Sequence, residues 1–152
     1  MMCINELIKR ALTNKMWNPR YAYIGPTYKQ TKSIIFDYLK HYAGVIPGVK
    51  FNEQELSCTF PNGAKISLLG SENPDSLRGN YFDGIIADEY AQINPRLFPE
   101  IIRPALSDRK GFCYMVGTPQ GMSNDFYAKY QHALQDDDWY TKIAKASETN
   151  II

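Results

Sequence analysis

Only two histidines and three cysteines occur in the 152 residues. His41 and His132 each stand alone, and Cys3, Cys58 and Cys113 are far apart with no C-x-x-C pair. A zinc site and a disulfide framework are thereby excluded, and three reduced thiols are expected. No apolar run approaches the ~20 residues that cross a bilayer, so no membrane association is expected. Met1 to Arg10 carries Asn5, Glu6, Lys9 and Arg10 where a secretory leader has its apolar core, so no signal peptide is expected there. An excess of charge of one sign is also lacking. The net charge of +1 excludes a uniformly basic nucleic-acid coat, but it leaves room for a local basic patch. There is no internal repeat and no linker-like stretch that would divide the chain.

What is present suits one domain with a real core: 44% hydrophobic and 22% charged residues in a chain of single-domain length. Ile4, Leu7, Ile8, Ala11 and Leu12 recur at helical spacing and predict an amphipathic helix. That helix has no start signal, and Met1 falls where its first turn should be under way, so a truncated chain is expected. Arg20 to Gly25 reads as a strand. Thr27 and Gln30 read as a capping box opening a helix that buries Ile34, Ile35, Tyr38, Leu39 and Tyr42 and stops at Gly44. Leu56 to Phe60 and Ala64 to Leu69 read as a hairpin closed by a type I′ turn at Asn62-Gly63, one face of it wet. Gly84 to Asp88 and Gly111 to Gly117 read as strands buried on both faces. Asn94-Pro95 reads as the start of a helix between them. Ser123 or Asn124 is expected to cap a later helix, and Trp139 to Ala146 is a candidate last strand. The alternation predicts an α/β fold: a mainly parallel sheet flanked by helices, with the β-hairpin at its edge and ligands at the carboxyl ends of strands.

Four clusters bear on chemistry. In Gly84-Ile85-Ile86-Ala87-Asp88-Glu89-Tyr90, apolar residues lead directly into two adjacent carboxylates. In nucleotide hydrolases the first such acid holds Mg²⁺ through water, and the second orients and deprotonates the attacking water. Its plainer reading is a strand end that meets a solvated acidic turn. In Val116-Gly117-Thr118-Pro119-Gln120-Gly121, a hydroxyl just past a buried strand is placed to sense a γ-phosphate; an ordinary Gly/Pro turn is the alternative. In Tyr23-Ile24-Gly25-Pro26-Thr27-Tyr28-Lys29-Gln30, the helix start offers a place for a phosphate. Lys29 and Lys32 are candidates to touch a nucleic-acid backbone there, and the alternative is simply a capped helix. In Ser76-Leu77-Arg78-Gly79, the arginine is free to project or to form a surface ion pair.

Taken in this order, YIGPTYKQ (23–30), SLRG (76–79), DGIIADEY (83–90) and VGTPQG (116–121) resemble the ATPase domain of phage terminase large subunits, over nearly the whole chain. The resemblance implies a P-loop NTPase of RecA/ASCE type. It makes the acidic pair a Walker B motif, with Asp88 as the Mg²⁺ residue and Glu89 as the catalytic base. Gly117 and Thr118 match the coupling segment beside the nucleotide. Arg78 matches an arginine that acts on the neighbouring subunit's ATP. The complete protein would use Mg²⁺ and ATP, form a homo-oligomeric ring in the bacterial cytoplasm, and work on double-stranded DNA with a portal protein and a small terminase subunit.

The departures are equally definite. No G-x-x-x-x-G-K-[ST] phosphate-binding loop occurs, and the nearest lookalike, Gly63 to Ser67, lies in the hairpin. Residues 1–152 are therefore expected to be one partial ATPase domain without the Walker A strand and loop and without the nuclease domain. No bound cofactor is expected for this piece by itself. In related ATPases the absent strand lies beside the segment matching 112–117, so that edge is expected to be covered by 139–146 or by a second copy. Asp136-Asp137-Asp138 is expected to be a solvated helix end rather than a nuclease metal site. Two other readings remain open: a non-enzymatic, decayed prophage binding module, and a helicase-like ATPase piece.

Overall fold

A computed structural model describes residues 2–145. Its elements in chain order are helix α1 (Met2–Thr13), strand β1 (Arg20–Gly25), and a helix made of α2 (Tyr28–Gln30), a π turn (Thr31–Ile35) and α3 (Phe36–Ala43). Then come β2 (Lys50–Asn52), β3 (Ser57–Thr59), β4 (Lys65–Gly70), a 3₁₀ turn (Pro74–Leu77) and β5 (Gly84–Ala87). A 3₁₀ turn (Tyr90–Gln92), a π turn (Phe98–Ile102) that runs into α4 (Arg103–Ser107), β6 (Phe112–Met115) and α5 (Asp125–Ala133) complete the order.

The strands form one sheet in the order β2-β3-β4-β1-β5-β6. β1 pairs in parallel with β4 and with β5, and β5 in parallel with β6. β2, β3 and β4 pair antiparallel. The fold is thus the expected α/β sheet, mainly parallel. The hairpin stands at one end of it, with β2, which the sequence patterns do not reveal, added outside. β1 lies in the middle. The chain leaves it toward β4 and later crosses back to β5, so the β1–β5 boundary is a topological switch point, where such sheets open a crevice at their carboxyl ends.

Strand periodicity sorts the core. Tyr21, Tyr23, Ile66, Leu68 and Ile86 share one face and pack with Ile4, Leu7 and Ile8 of α1 and Phe36 and Leu39 of the second helix. The alternate residues Ala22, Ile24, Ile85 and Ala87 are also fully buried, so the central strands are covered on both sides. α1 buries Ile4, Leu7, Ile8 and Ala11 as expected, but Leu12 remains exposed.

Three local expectations change. The second helix buries Thr31, Phe36, Leu39 and Ala43, whereas Ile34 is 55% and Tyr38 36% exposed. The π turn adds one residue to a helical turn. Leu39 is buried as expected, but beyond the π turn Phe36 is buried in place of Ile35 and Ala43 in place of Tyr42, one position further on. In the hairpin, Gly63 N–H donates to Phe60 O (2.9 Å), Phe60 N–H donates to Ala64 O (2.8 Å), and only Gly63 of the turn has positive φ, at 83°. The loop is therefore the three-residue Pro61-Asn62-Gly63 with a left-handed glycine, not a type I′ turn. Pro61 fixes a negative φ suited to a type I start. Asn62 is tied down by its bonds to Ala64 N–H (3.1 Å) and Ala11 O (2.8 Å). Finally, β6 is the outermost strand and only half-buried, not covered on both faces.

At the amino ends of β1 and β5, Asp83 accepts from Arg20 N–H (2.8 Å) and lies 3.7 Å from Arg109. Arg109 also stacks on Tyr81 (4.4 Å) and donates to Trp17 O (2.8 Å). Asp83→Ala strands a backbone donor and an arginine that are both largely shielded from water. It should cost about 1–3 kcal/mol, read from the denaturant midpoint; an unchanged midpoint would show that this clamp does not hold the strands.

Pro119–Ile152 is a separate compact unit from Met1–Thr118. In it, Asn124 caps α5 by accepting from Tyr127 N–H (3.0 Å). Residues 139–145 carry no strand, so the expected last strand does not form there; Ala146 lies outside the described residues.

Candidate functional site

β5 hands directly into the acidic pair. Asp88 N–H still donates to Ile24 O (2.8 Å), which extends the ladder one residue past Ala87. Alternation turns the Asp88 side chain to the α1 face, as for Ile86 and its partner Tyr23. There the Tyr23 hydroxyl donates to Asp88 Oδ2, and Glu89 N–H donates to Asp88 Oδ1 (3.0 Å). Burial first, and then the Asp88 carboxylate, push the Tyr23 phenol far above its ordinary range, so it remains a donor. The Cys3 thiol, in the first turn of α1, is also raised, by burial and then by the Asp88 charge. The start of α1 therefore faces the acid.

Glu89 takes a left-handed backbone, φ 48° and ψ 45°. For a residue with a long side chain this costs of order 1–3 kcal/mol and persists only where neighbours impose it. They do: Tyr90 N–H donates to Val116 O (3.0 Å), Gln92 N–H donates to Glu89 O (2.8 Å), and the Tyr90 ring is buried. A Cβ on Gly117 would stand 3.1 Å from both Glu89 Cα and Tyr90 N. Glycine thus allows the end of β6 to lie against the acidic turn, and Thr118, exposed, follows at once. Gly117 also has φ 154°, which residues with side chains rarely adopt. Gly117→Ala should destabilise the chain by about 1–3 kcal/mol and shift the Glu89 amide resonance. An unmoved Glu89 amide with unchanged stability would show the contact to be unimportant.

The structure therefore brings Asp88, Glu89 and Gly117 together, with Thr118 next in the chain, and forms no bond from the acids to the other candidates. Arg78 ends a 3₁₀ turn on the loop between β4 and β5; its guanidinium is 56% exposed and meets Asp75 of its own loop (3.2 Å), not the acidic pair. Lys29 and Lys32 are exposed on the second helix. At that helix start Thr27 accepts from Gln30 N–H (3.2 Å), and the Glu72 carboxylate accepts from Tyr28 N–H, so an internal anion already holds the place. Gln30 does not complete the box; its Oε1 accepts from the Thr27 hydroxyl instead (3.1 Å). A cleft of about 890 Å³ opens beside β4, lined by Arg20, Ser67, Glu72 and Asn80 among others, and neither acid lines it. Asp136 pairs with His132 (3.1 Å) and accepts from Asp138 N–H (3.0 Å), a local helix-end arrangement.

The sequence patterns pass over Tyr23 and Glu72. Tyr23 had a usable signal, because a tyrosine in an otherwise apolar buried strand must find a partner for its hydroxyl. Glu72 had none, since its bond to Tyr28 spans 44 positions of chain.

Asp88 and Glu89 fit a hard cation. Mg²⁺ is held by one or two carboxylates, with water and substrate phosphates completing its shell. Among the described residues no group of three or more His, Cys, Asp or Glu converges as a protein-only metal cage does. A mainly parallel sheet flanked by helices, with adjacent acids at its switch point and a glycine closing from the next strand, is an α/β fold of the class that takes ligands at the carboxyl ends of its strands.

Within that class, residues 5–151 match the family "Terminase large subunit, T4likevirus-type, N-terminal", and the chain belongs to it. The large terminase subunit of Thermus virus P23-45 is 28% identical over 123 residues, 68% of this chain and 25% of that protein. That of Thermus phage G20c is 42% identical over 57 residues, 38% of this chain and 12% of that protein. The chain thus spans at most about a quarter of these relatives. The large terminase ATPase domain of Thermus phage P74-26 superposes with a TM-score of 0.65 at 25% identity, covering 97% of this chain and 61% of that one. The large terminase of thermophilic bacteriophage D6E in complex with ADP superposes with a TM-score of 0.73 at 17% identity, covering 97% of this chain and 37% of that one.

Proposed function

We propose that this chain forms the Walker B part of a terminase motor whose ATP hydrolysis drives double-stranded DNA into a viral capsid. The observation that carries it is the acidic corner, with Asp88 oriented through both oxygens and Glu89 locked in a strained turn against Gly117. In this reading Asp88 would hold Mg²⁺, an ion that would supply positive charge beside the ATP phosphates. Glu89 takes the proton of the attacking water, and Thr118, one residue past the glycine contact, relays the change to β6. Gly117 brings backbone close to the nucleotide. That the D6E terminase with this fold takes ADP supports a nucleotide here. Arg78, projecting and held only by Asp75, serves a neighbouring subunit of a homo-oligomeric ring. Lys29 and Lys32, with exposed Tyr28 beside them, face the DNA phosphates. A portal protein and a small terminase subunit complete the assembly.

Residues 1–152 contain no G-x-x-x-x-G-K-[ST] loop. Without its backbone N–H groups and lysine, nothing in this chain cradles the β- and γ-phosphates. The chain by itself should therefore hydrolyse ATP at background level, with Glu89→Gln changing nothing. Turnover by the chain alone that Glu89→Gln abolishes would keep Glu89 as the base but overturn the expectation that residues 1–152 are inactive without that loop; wild-type turnover by a Glu89→Gln chain would overturn the role of Glu89.

A further inference from the structure

We infer that Tyr23 is a positioning residue for the acidic site, its hydroxyl fixing the Asp88 carboxylate in the orientation that receives a divalent cation. This deepens the reading of Asp88 as the metal-holding acid and rests on it. Tyr23 lies on β1 and Asp88 just beyond β5, across the switch-point boundary. Asp88 ends on a short side chain with two free torsions, at the point where the ladder stops. Its two oxygens are nonetheless both committed, Oδ1 to Glu89 N–H at 3.0 Å and Oδ2 to the Tyr23 hydroxyl. The first of these bonds is local and moves with the turn. The second is anchored elsewhere, because Tyr23 is 3% exposed and belongs to the main core cluster. Among the described residues, the tyrosine alone therefore ties the carboxylate to the centre of the sheet.

Each carboxylate oxygen that accepts one hydrogen bond retains a lone pair. The bond thus aims the group and leaves it able to bind a metal-bound water. Partners that orient a ligand in this way typically change metal affinity 10–100-fold when removed. Tyr21 provides an internal control. It lies two residues earlier on the same face, and its hydroxyl accepts from Asn14 (2.9 Å) and donates to Arg10 O (3.3 Å), away from Asp88.

The test is a titration of the full chain with Mn²⁺ alone, followed by paramagnetic broadening of its amide resonances, a readout that registers millimolar binding and needs no turnover. The wild type should broaden first around Cys3, Asp88 and Glu89. Tyr23→Phe should raise the half-saturating Mn²⁺ concentration about 10-fold or more, while Tyr21→Phe leaves it in place. In the unsubstituted protein, the Tyr23 hydroxyl proton should exchange slowly and show a nuclear Overhauser contact to the Asp88 β-protons, a check that survives even if Tyr23→Phe fails to fold. Wild-type half-saturation in Tyr23→Phe, with broadening lost in Asp88→Asn, overturns the tyrosine's role and leaves the acid's. Broadening that persists in Asp88→Asn, or no localised broadening at all, overturns both. Absence of that Overhauser contact likewise overturns the tyrosine's role.

Discussion

Replacing Glu89 by glutamine in the complete terminase should lower ATP turnover by at least ~10²–10⁴-fold, the usual contribution of a positioned general base. Glutamine keeps the length and shape of the side chain, so the left-handed turn and its bonds to Val116 and Gln92 survive. It cannot accept a proton. Nucleotide affinity should therefore hold while the chemical step fails, a change in kcat without a matching change in binding. The measurement is steady-state turnover beside equilibrium ATP binding. A Glu89→Gln enzyme that hydrolyses at the wild-type rate would place the base elsewhere, and Asp88 would be the next residue to examine. The strain at Glu89 makes the prediction sharper. The φ of 48° sets the direction in which the Glu89 side chain leaves the turn, so the substitution must keep that backbone for the comparison to be clean.

Arg78→Ala should cost the assembled ring roughly 10³–10⁵ in turnover, or about 4–7 kcal/mol of barrier. Little at its own site holds Arg78 in place. Its ion pair with Asp75 is exposed, and such pairs contribute little. An arginine free to project, remote from its own subunit's acids, is suited to reach charge developing in a neighbour's site. The role in trans has a distinctive consequence. Mixed rings of Arg78→Ala and Glu89→Gln subunits should recover activity, because an interface can pair the intact arginine of one with the intact acid of the other. Full-rate hydrolysis by the Arg78→Ala ring, or mixed rings as inactive as either parent, would rule that role out.

Much of the fold was legible in the sequence because it depends on local chemistry. The helical spacing of Ile4, Leu7, Ile8 and Ala11, the apolar runs at 84–87 and 112–115, and the capping oxygens of Thr27 and Asn124 act over a few residues and can be read there. The errors arise where a local preference meets a distant constraint. Asn62-Gly63 alone favours a two-residue turn, but Pro61 before it and the bond from Asn62 to Ala11 draw the loop out to three. The helical face after Thr31 is misread by one position because a π turn leaves no periodic signature before it occurs. β6 has the composition of a covered strand, yet the sheet order leaves it outermost.

Amino-acid order by itself determined where the candidate chemistry sits. Two adjacent acids follow a buried strand, a glycine and threonine follow the next, and no phosphate-binding loop or metal cage accompanies them. Side-chain pattern suffices for this because residue type and neighbour spacing are its whole content. Only the tertiary structure decided which atoms meet: Tyr23 on Asp88, Gly117 under Glu89, Glu72 on the N–H of Tyr28. Those contacts join positions 28 to 65 residues apart, and their geometry exists only once the parallel strands are in register and both faces are packed.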